Sequence, residues 1–375
     1  VCLDETPVVS DILTSAELNL EKEHNPLFIT LYNILKRCDM NPNATRLLVV
    51  SFCLIGGAET LAQDNASLPR TEFDQPDMQG VWFYGTSTPF DRMEALGDKQ
   101  SYTEAEANEL MEALLAADKM KAEPLGAERG APEAGGAIAQ NADHNFSDSR
   151  INPVIIDGQY RTSQIISPAN GRFPYREGGM DMFQKWQAEG HGGFDGPEIR
   201  PASERCVGPN GGPMAPMVSW FYNANLQIVQ TEDYVMMLSE MNHDARIIPL
   251  TQTRAGNTQA LWQGNSIGHW DGDVLVVETT GFRPEQSWFA FRMSDQLQVT
   301  ERFELVSEEE IRYSYTFTDP EIYTEAVTVE KNITRRAPGE ELFECACHEG
   351  NYSMASILAG ARRQEADLLS ASREQ

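Results

Sequence analysis

After Leu226 apolar and polar residues alternate through most of the chain with a period of two, the pattern of half-buried strands. Leu226 to Gln230 and Tyr234 to Glu240 flank Thr231-Glu-Asp233, a hairpin spacing. Trp270-Asp-Gly-Asp273 supplies an Asp-Gly turn ahead of Val274-Leu-Val-Val277, an unbroken apolar run that predicts a strand buried on both faces. Leu297 to Val306, Ile311 to Thr318, Ala326 to Arg335 and Leu342 to Cys347 follow at short intervals, and Ser353 opens a closing helix. Strands so closely spaced, with no helices between them, predict an antiparallel meander that closes as a barrel or folds into a sandwich.

Upstream the pattern is more broken. Gln79 to Tyr84 reads as a short aromatic strand, and its Gly80-x-Trp82 resembles the first-strand signature of lipocalin-like barrels. Thr103-Glu-Ala-Glu106 is a capping box that opens a helix to about Lys121, with Leu110, Met111, Leu114 and Leu115 as its packing stripe. Glu123 to Ser149, rich in Ala, Gly, Pro and acids, reads as a connection. Arg161 to Ser167 predicts a strand closed by the turn Pro168-Ala-Asn-Gly171. From there to Pro216, glycines and prolines predict long irregular loops of the kind that cover sites. The expectation is a mainly β domain over residues 63–375, with one N-terminal helix, long Gly/Pro loops and a C-terminal helix.

Residues 40–62 have the layout of a secretory signal peptide: a short basic start from Met40 to Arg46, the apolar run Leu47 to Ala58, and Thr60-Leu-Ala62 as a small-residue cleavage site. The run is too short to cross a bilayer, which needs about 20 residues. Residues 1–39 then read as an upstream extension outside the mature protein, with Met40 as the start. A periplasmic or secreted chain is expected, with no membrane insertion after cleavage.

Composition narrows the partners. The 375 residues are 41% hydrophobic and 23% charged, a globular balance, and the net charge of -28 opposes nucleic acid or an anionic membrane face. A small-molecule ligand or substrate is the expected partner.

Strand parity singles out residues that break phase. On the strand from Leu297 the row Leu297, Val299, Glu301, Phe303, Leu305 places Glu301 among apolar neighbours, and Tyr234, Met236, Leu238 lead to Glu240. A buried carboxylate must be paired, hydrogen-bonded or neutralised, and the last state suits general acid–base chemistry. The structural alternative is an ion pair, with Arg302, Arg246 or Arg205 as partners. His243-Asp244-Ala-Arg246 lies just beyond Glu240 and offers an imidazole beside carboxylates, suited to proton transfer or metal ligation. Cys345-Ala-Cys347-His348-Glu349 carries metal-ligand types, but in an oxidising compartment a disulfide from Cys206 to Cys347 is expected first, with Cys345 as the alternative partner. Gly264-Asn-Ser266-Ile-Gly268 matches the G-x-S-x-G nucleophile motif, yet Gly268 runs into a hairpin where the motif requires a helix.

Taken together, several runs resemble a large, uncharacterised family of exported bacterial β-rich proteins. They are Gly80-Val-Trp82 with Thr88-Pro89, Arg161-Thr-Ser163, Glu204-Arg-Cys206, Glu240-Met-Asn-His-Asp-Ala-Arg-Ile247, the stretch from Trp270 to Phe282, Glu301-Arg-Phe303, and Ala346-Cys-His-Glu-Gly-Asn-Tyr352. The resemblance implies a secreted or periplasmic β-rich protein and brings no activity with it. That family commonly has a histidine three residues before Glu-Arg-Phe, where this chain has Gln298. A three-histidine metal centre is therefore not expected.

The resulting expectation is an enzyme doing acid–base chemistry of hydrolase, lyase or isomerase type on a small organic substrate. Glu301 and His243 would transfer protons, Glu240 or Asp244 would orient the imidazole, and Arg246 would hold an anionic group. His348 and Glu349 would form a further wall, with Trp82, Trp270, Tyr352 and Arg205 near the ligand. No cofactor is expected, a metal at the His/carboxylate cluster being the variant. The rivals are a lipocalin-like carrier of an apolar compound and a serine hydrolase using Ser266.

Overall fold

The computed structural model describes residues 68–122, 151–208, 215–218, 223–251, 253, 259–287 and 291–373. The proposed leader and upstream extension, and the connection from Glu123 to Ser149, lie outside them.

The alternating segments form a ten-stranded antiparallel sheet that nearly closes into a barrel. β1 (Gly80–Phe83) is flanked by two meanders. On one side come β5 (Asn225–Gln230), β6 (Tyr234–Ser239) and β7 (Ala245–Pro249). On the other, β12 (Val327–Arg335) leads through β11 (Glu310–Thr318), β10 (Gln298–Ser307) and β9 (Val274–Thr280) to β8 (Asn265–Asp271). β4 (Ile165–Ser167) pairs as a branch on β12, and a separate hairpin joins β2 (Ile155–Ile156) to β3 (Gln159–Tyr160). The meander expected from the sequence is present, but β1, drawn from far upstream, sits in its middle. Trp82 opposite Leu226 and Phe83 opposite Thr334 set that register.

The helices follow their local signals. α1 (Glu104–Ala122) is opened by the expected capping box: Thr103 N–H donates to Glu106 Oε2 at 2.8 Å, and Glu106 N–H donates to Thr103 Oγ1. α2 (Met182–Ala188) carries a second box between Asp181 and Gln184. α3 (Ser353–Arg373) starts where the sequence placed it and buries none of its residues. Among the described residues no helix is long and apolar enough to cross a membrane.

Two expected strands differ. From Arg161 to Ser167 only the last three residues ladder, because Thr162 and Gln164 are turned to other partners: Arg92 Nε donates to Thr162 Oγ1, and Gln164 Nε2 to the Thr88 carbonyl. Leu342 to Cys347 is irregular rather than a strand. Its Phe343 side chain is exposed, and the segment is tied by a disulfide between Cys206 and Cys347, the pairing expected first.

Inward rows fill the barrel: Trp82 from β1, Leu226 and Ile228 from β5, Leu275 and Val277 from β9, Phe303 from β10, Ile311, Tyr313, Tyr315 and Phe317 from β11. The two end strands, β7 and β8, meet at a seam. Leu250 forms an isolated parallel bridge with Gly268, and Arg246 Nε donates to Ser266 Oγ at 3.0 Å across the gap. Gly268 is required there because a Cβ would stand 2.9 Å from Ile248 Cγ2 and 3.3 Å from Leu250 Cδ2. Gly268→Ala is accordingly expected to lower unfolding free energy by about 1–3 kcal/mol, the usual cost of overpacking. Denaturant unfolding checks this, and an unchanged midpoint would show a slack seam.

Candidate functional site

The polar residues that strand parity turns inward converge on one cluster. Glu301 stands in the β10 row between Val299 and Phe303, and its side chain is 0% exposed. Antiparallel register sets it opposite Val277 on β9 and Tyr315 on β11. Arg246 enters from β7 across the seam, with Ile248 as its inward neighbour along the strand. Its guanidinium meets both carboxylate oxygens: Nη1 donates to Glu301 Oε1 at 3.1 Å, and Nη2 donates to Oε2. The fork geometry of arginine suits this two-point contact, which lysine could not make.

Further hydrogen bonds satisfy the pair. Arg246 Nη2 also donates to Thr279 Oγ1 at 3.0 Å, and the Ser266 and Thr279 hydroxyls are joined at 2.9 Å. Tyr313 donates its hydroxyl to Glu301 Oε1 at 2.7 Å and accepts from the Met217 N–H at 2.9 Å. Burial, and then the nearby Glu301 charge, push the phenols of Tyr313 and Tyr315 well above the usual tyrosine range, so both stay protonated. The Tyr315 hydroxyl is buried with no hydrogen-bond partner among the described residues.

Beside this cluster lies a residue that the sequence reading passed over. Lys331 on β12 is directly opposite Tyr313, and it is fully buried. Its amine donates to the Tyr84 carbonyl at 3.0 Å and lies 5.3 Å and 5.7 Å from the ring centres of Tyr84 and Tyr313. Burial lowers its pKa from 10.5 to about 7. The signal was available: Val327, Val329, Lys331 and Ile333 form one row, broken in the same way that Glu301 breaks its own.

The second buried carboxylate is near enough to Tyr84 for its charge to act on the phenol. Glu240 is 6% exposed; its Oε1 accepts from Asn225 Nδ2 at 3.2 Å and its Oε2 from the Phe343 N–H at 3.0 Å. The Tyr84 phenol is pushed up by burial, drawn back by a hydrogen bond with Ser239, and raised again by the Glu240 charge. The interior thus carries a row of ionisable groups running Glu240, Tyr84, Lys331, Tyr313, Glu301, Arg246.

The remaining nominated residues are placed elsewhere. His243 is exposed on the turn between β6 and β7, and no hydrogen bond or ion pair joins it to Glu240, Asp244 or Glu301. Asn242 and His243 both adopt left-handed backbone, at φ 59° and 54°, a conformation that non-glycine residues rarely hold in succession. Asp244 is half-buried; burial raises its carboxyl pKa, while a Gln263 hydrogen bond and the His243 charge oppose the rise. His348 and Glu349 are exposed, and Tyr352 is 78% exposed. Trp82 is a core residue whose Nε1 donates to the Met78 carbonyl, and Arg335 lies over its ring. Trp270 packs against the core, with its indole N–H buried and unpartnered among the described residues. Arg205 lies over Trp262. Ser266 is inside a strand, with its hydroxyl engaged by Arg246 and Thr279.

Among the described residues no group of three His, Cys, Asp or Glu side chains could hold a metal ion. Cys345 is a free thiol, donating to Met241 Sδ at 3.5 Å. Two surface clefts of about 330 and 340 Å³ are lined respectively by residues around Arg335 and around Trp186, and by none of the interior ionisable groups. No protein-family model and no curated protein matches the chain, so the chemistry of the site rests on its own geometry.

Two measurements probe the cluster. Glu301→Gln leaves Arg246 without its counter-charge and is expected to cost about 3–5 kcal/mol in urea unfolding. Replacing the pair together by Met and Leu should recover most of that, and a single-mutant loss below about 1 kcal/mol would contradict the buried pairing. For Lys331, the unfolded chain binds the proton between about 7 and 10.5 while the folded chain does not. Stability contributed by this group therefore rises with pH across that window, by up to about 1.4 kcal/mol per unit, and is constant below it. The wild-type minus Lys331→Met difference in unfolding free energy at pH 7, 8 and 9 reads the slope; a flat difference would mean the amine is not desolvated.

Proposed function

We propose that this chain is an exported enzyme performing acid–base chemistry on a small organic molecule at the polar interior of its barrel, with Lys331 as the proton-transferring group. The observation that carries the reading is a fully buried amine, poised near pH 7, one residue contact away from the Tyr313–Glu301–Arg246 chain. General acid–base groups work best with a pKa near the operating pH, and desolvated lysines are a recurrent way of reaching it. A barrel that needed only cohesion could fill this space with apolar side chains at no loss of stability. The proton-transfer role thereby moves from the His243 and Glu301 pair to Lys331, since His243 faces outward and both Glu301 oxygens are taken. Glu301 and Arg246 supply the fixed charges that hold Tyr313. Export is supported by the leader-like segment 40–62 and by the Cys206–Cys347 disulfide, a bond that persists in oxidising compartments.

One observation favours a second reading, a lipocalin-like carrier. The Glu301 cluster satisfies its own hydrogen bonds, which leaves the Tyr315 hydroxyl as a handle for a ligand that is held and not changed.

A panel of small esters, lactones and enolisable carbonyl compounds separates the two. The enzyme reading expects turnover that rises through about pH 7 and falls at least a hundredfold in Lys331→Met, in line with loss of a general base. Ligand retention without turnover in the wild type would establish the carrier instead, and full turnover in Lys331→Met would remove Lys331 from the chemistry.

A further inference from the structure

The acid–base reading leaves one inward hydroxyl without a task. Tyr315 is 1% exposed, and its OH finds no partner among the described residues. It neighbours the amine diagonally: Tyr313 is opposite Lys331, Tyr315 is opposite Val329, and the two tyrosine rings lie 5.3 Å apart. Buried hydroxyls ordinarily have an acceptor, and a group that lacks one in the protein is positioned to give its hydrogen bond to a ligand oxygen. An amine and a hydrogen-bond donor on adjacent strands, with the Tyr84 and Tyr313 rings 5.3 Å and 5.7 Å from the amine and buried Val329 opposite Tyr315, match the two reacting ends of a carbonyl group in apolar surroundings.

We propose that Lys331 and Tyr315 together form a carbonyl site inside the barrel, at which a small apolar aldehyde or ketone condenses with the Lys331 amine to give an imine. The proposal rests on the acid–base reading and names its substrate class. Burial favours the step because the neutral amine is the nucleophile, and desolvated lysines in apolar surroundings are the usual source of Schiff bases. The Lys331 nitrogen bonds to the carbonyl carbon while the carbonyl oxygen takes a proton from that nitrogen, giving a carbinolamine. The new hydroxyl then leaves as water with a proton from the Tyr315 OH, and the tyrosinate recovers a proton from the iminium nitrogen. One water is released in total, and neither oxidant nor reductant takes part. The Tyr315 phenol, held protonated by burial and by the Glu301 charge, remains a donor throughout the neutral range.

Reductive trapping tests this on the full chain. Butanal with sodium cyanoborohydride at pH 7, followed by digestion and mass spectrometry, is expected to alkylate Lys331 at least about tenfold faster than exposed lysines such as Lys185, which stay protonated. Tyr315→Phe removes a hydroxyl that bonds nothing among the described residues, so the variant should fold, and its Lys331 should label about tenfold more slowly. An unmodified Lys331 alongside labelled surface lysines would overturn the proposal, as would Tyr315→Phe labelling at the wild-type rate. Labelling by formaldehyde with butanal excluded would also overturn it, because no organic ligand would then fit. Turnover lost in Lys331→Met without any trapping would remove the imine and keep the acid–base reading. Trapping at Lys331 in a protein with no turnover would keep the carbonyl site and remove that reading.

Discussion

The structure depends on a charge pair closed across the barrel seam. Arg246 arrives on the last strand of one meander and Glu301 on an inner strand of the other, and their contact is excluded from water. Such a pair is weak as a source of net stability, since stripping two ions of water costs several kcal/mol each. Its strength lies in what it forbids. A slip of one residue in β7 or β10 would turn one charge outward and leave the other buried alone. The pair therefore fixes the register in which β7 meets β8, where Ser266 and Thr279 complete the guanidinium's contacts and Gly268 lets the strands approach.

Once that register is set, the position of every other inward polar group follows from strand pairing. Glu301 brings Tyr313 and Tyr315 with it through β11, and Tyr313 brings Lys331 through β12. Lys331 in turn meets Tyr84 at the end of β1. The low dielectric that makes the ion pair costly acts on this amine too, by disfavouring its charged form. The same interior thus encloses a carboxylate that meets a guanidinium in direct contact and an amine that burial presses toward neutrality.

The legible part of the fold was its period. Alternation and turn residues gave six of the strands between Leu226 and Arg335, the Asp-Gly hairpin and the capped helix at Thr103 nearly where they lie, while β7 and β8, the two strands that meet at the seam, were not singled out. Parity turned Glu301 inward, as it is, but it misassigned Glu240: the row Tyr234, Met236, Leu238 is the outer one, and Glu240 is buried because the backbone turns helical after Ser239. Parity also marked Arg246 and Lys331, but a lysine in a strand is so commonly exposed that the break in its row went unread. The place of β1 between β5 and β12 was not readable, because a four-residue strand carries no record of its partners. Nor was Leu342 to Cys347 readable as irregular, since an apolar run reads the same whether it ladders or is held by a disulfide and a carboxylate. The position of His243 failed for a related reason: sequence adjacency to Glu240 says nothing once Asn242 and His243 reverse the backbone.

That reversal gives the second buried carboxylate a task of its own. Glu240 follows β6 and accepts the Phe343 N–H, while Cys347, four residues beyond Phe343, is bonded to Cys206. Met241 receives the Cys345 thiol between these two ties. The segment after the barrel is therefore fastened to the β6–β7 turn by a carboxylate and a thiol, and to the loop at Cys206 by a disulfide, without a single ladder bond. A turn clamped on that side can hold two successive left-handed residues, which a free loop would relax. The Glu240 charge also acts on the Tyr84 phenol, so the same carboxylate that anchors the outer segment begins the inner row. The strained turn and the buried amine are thus linked through Tyr84, whose phenol feels Glu240 and whose carbonyl accepts from Lys331.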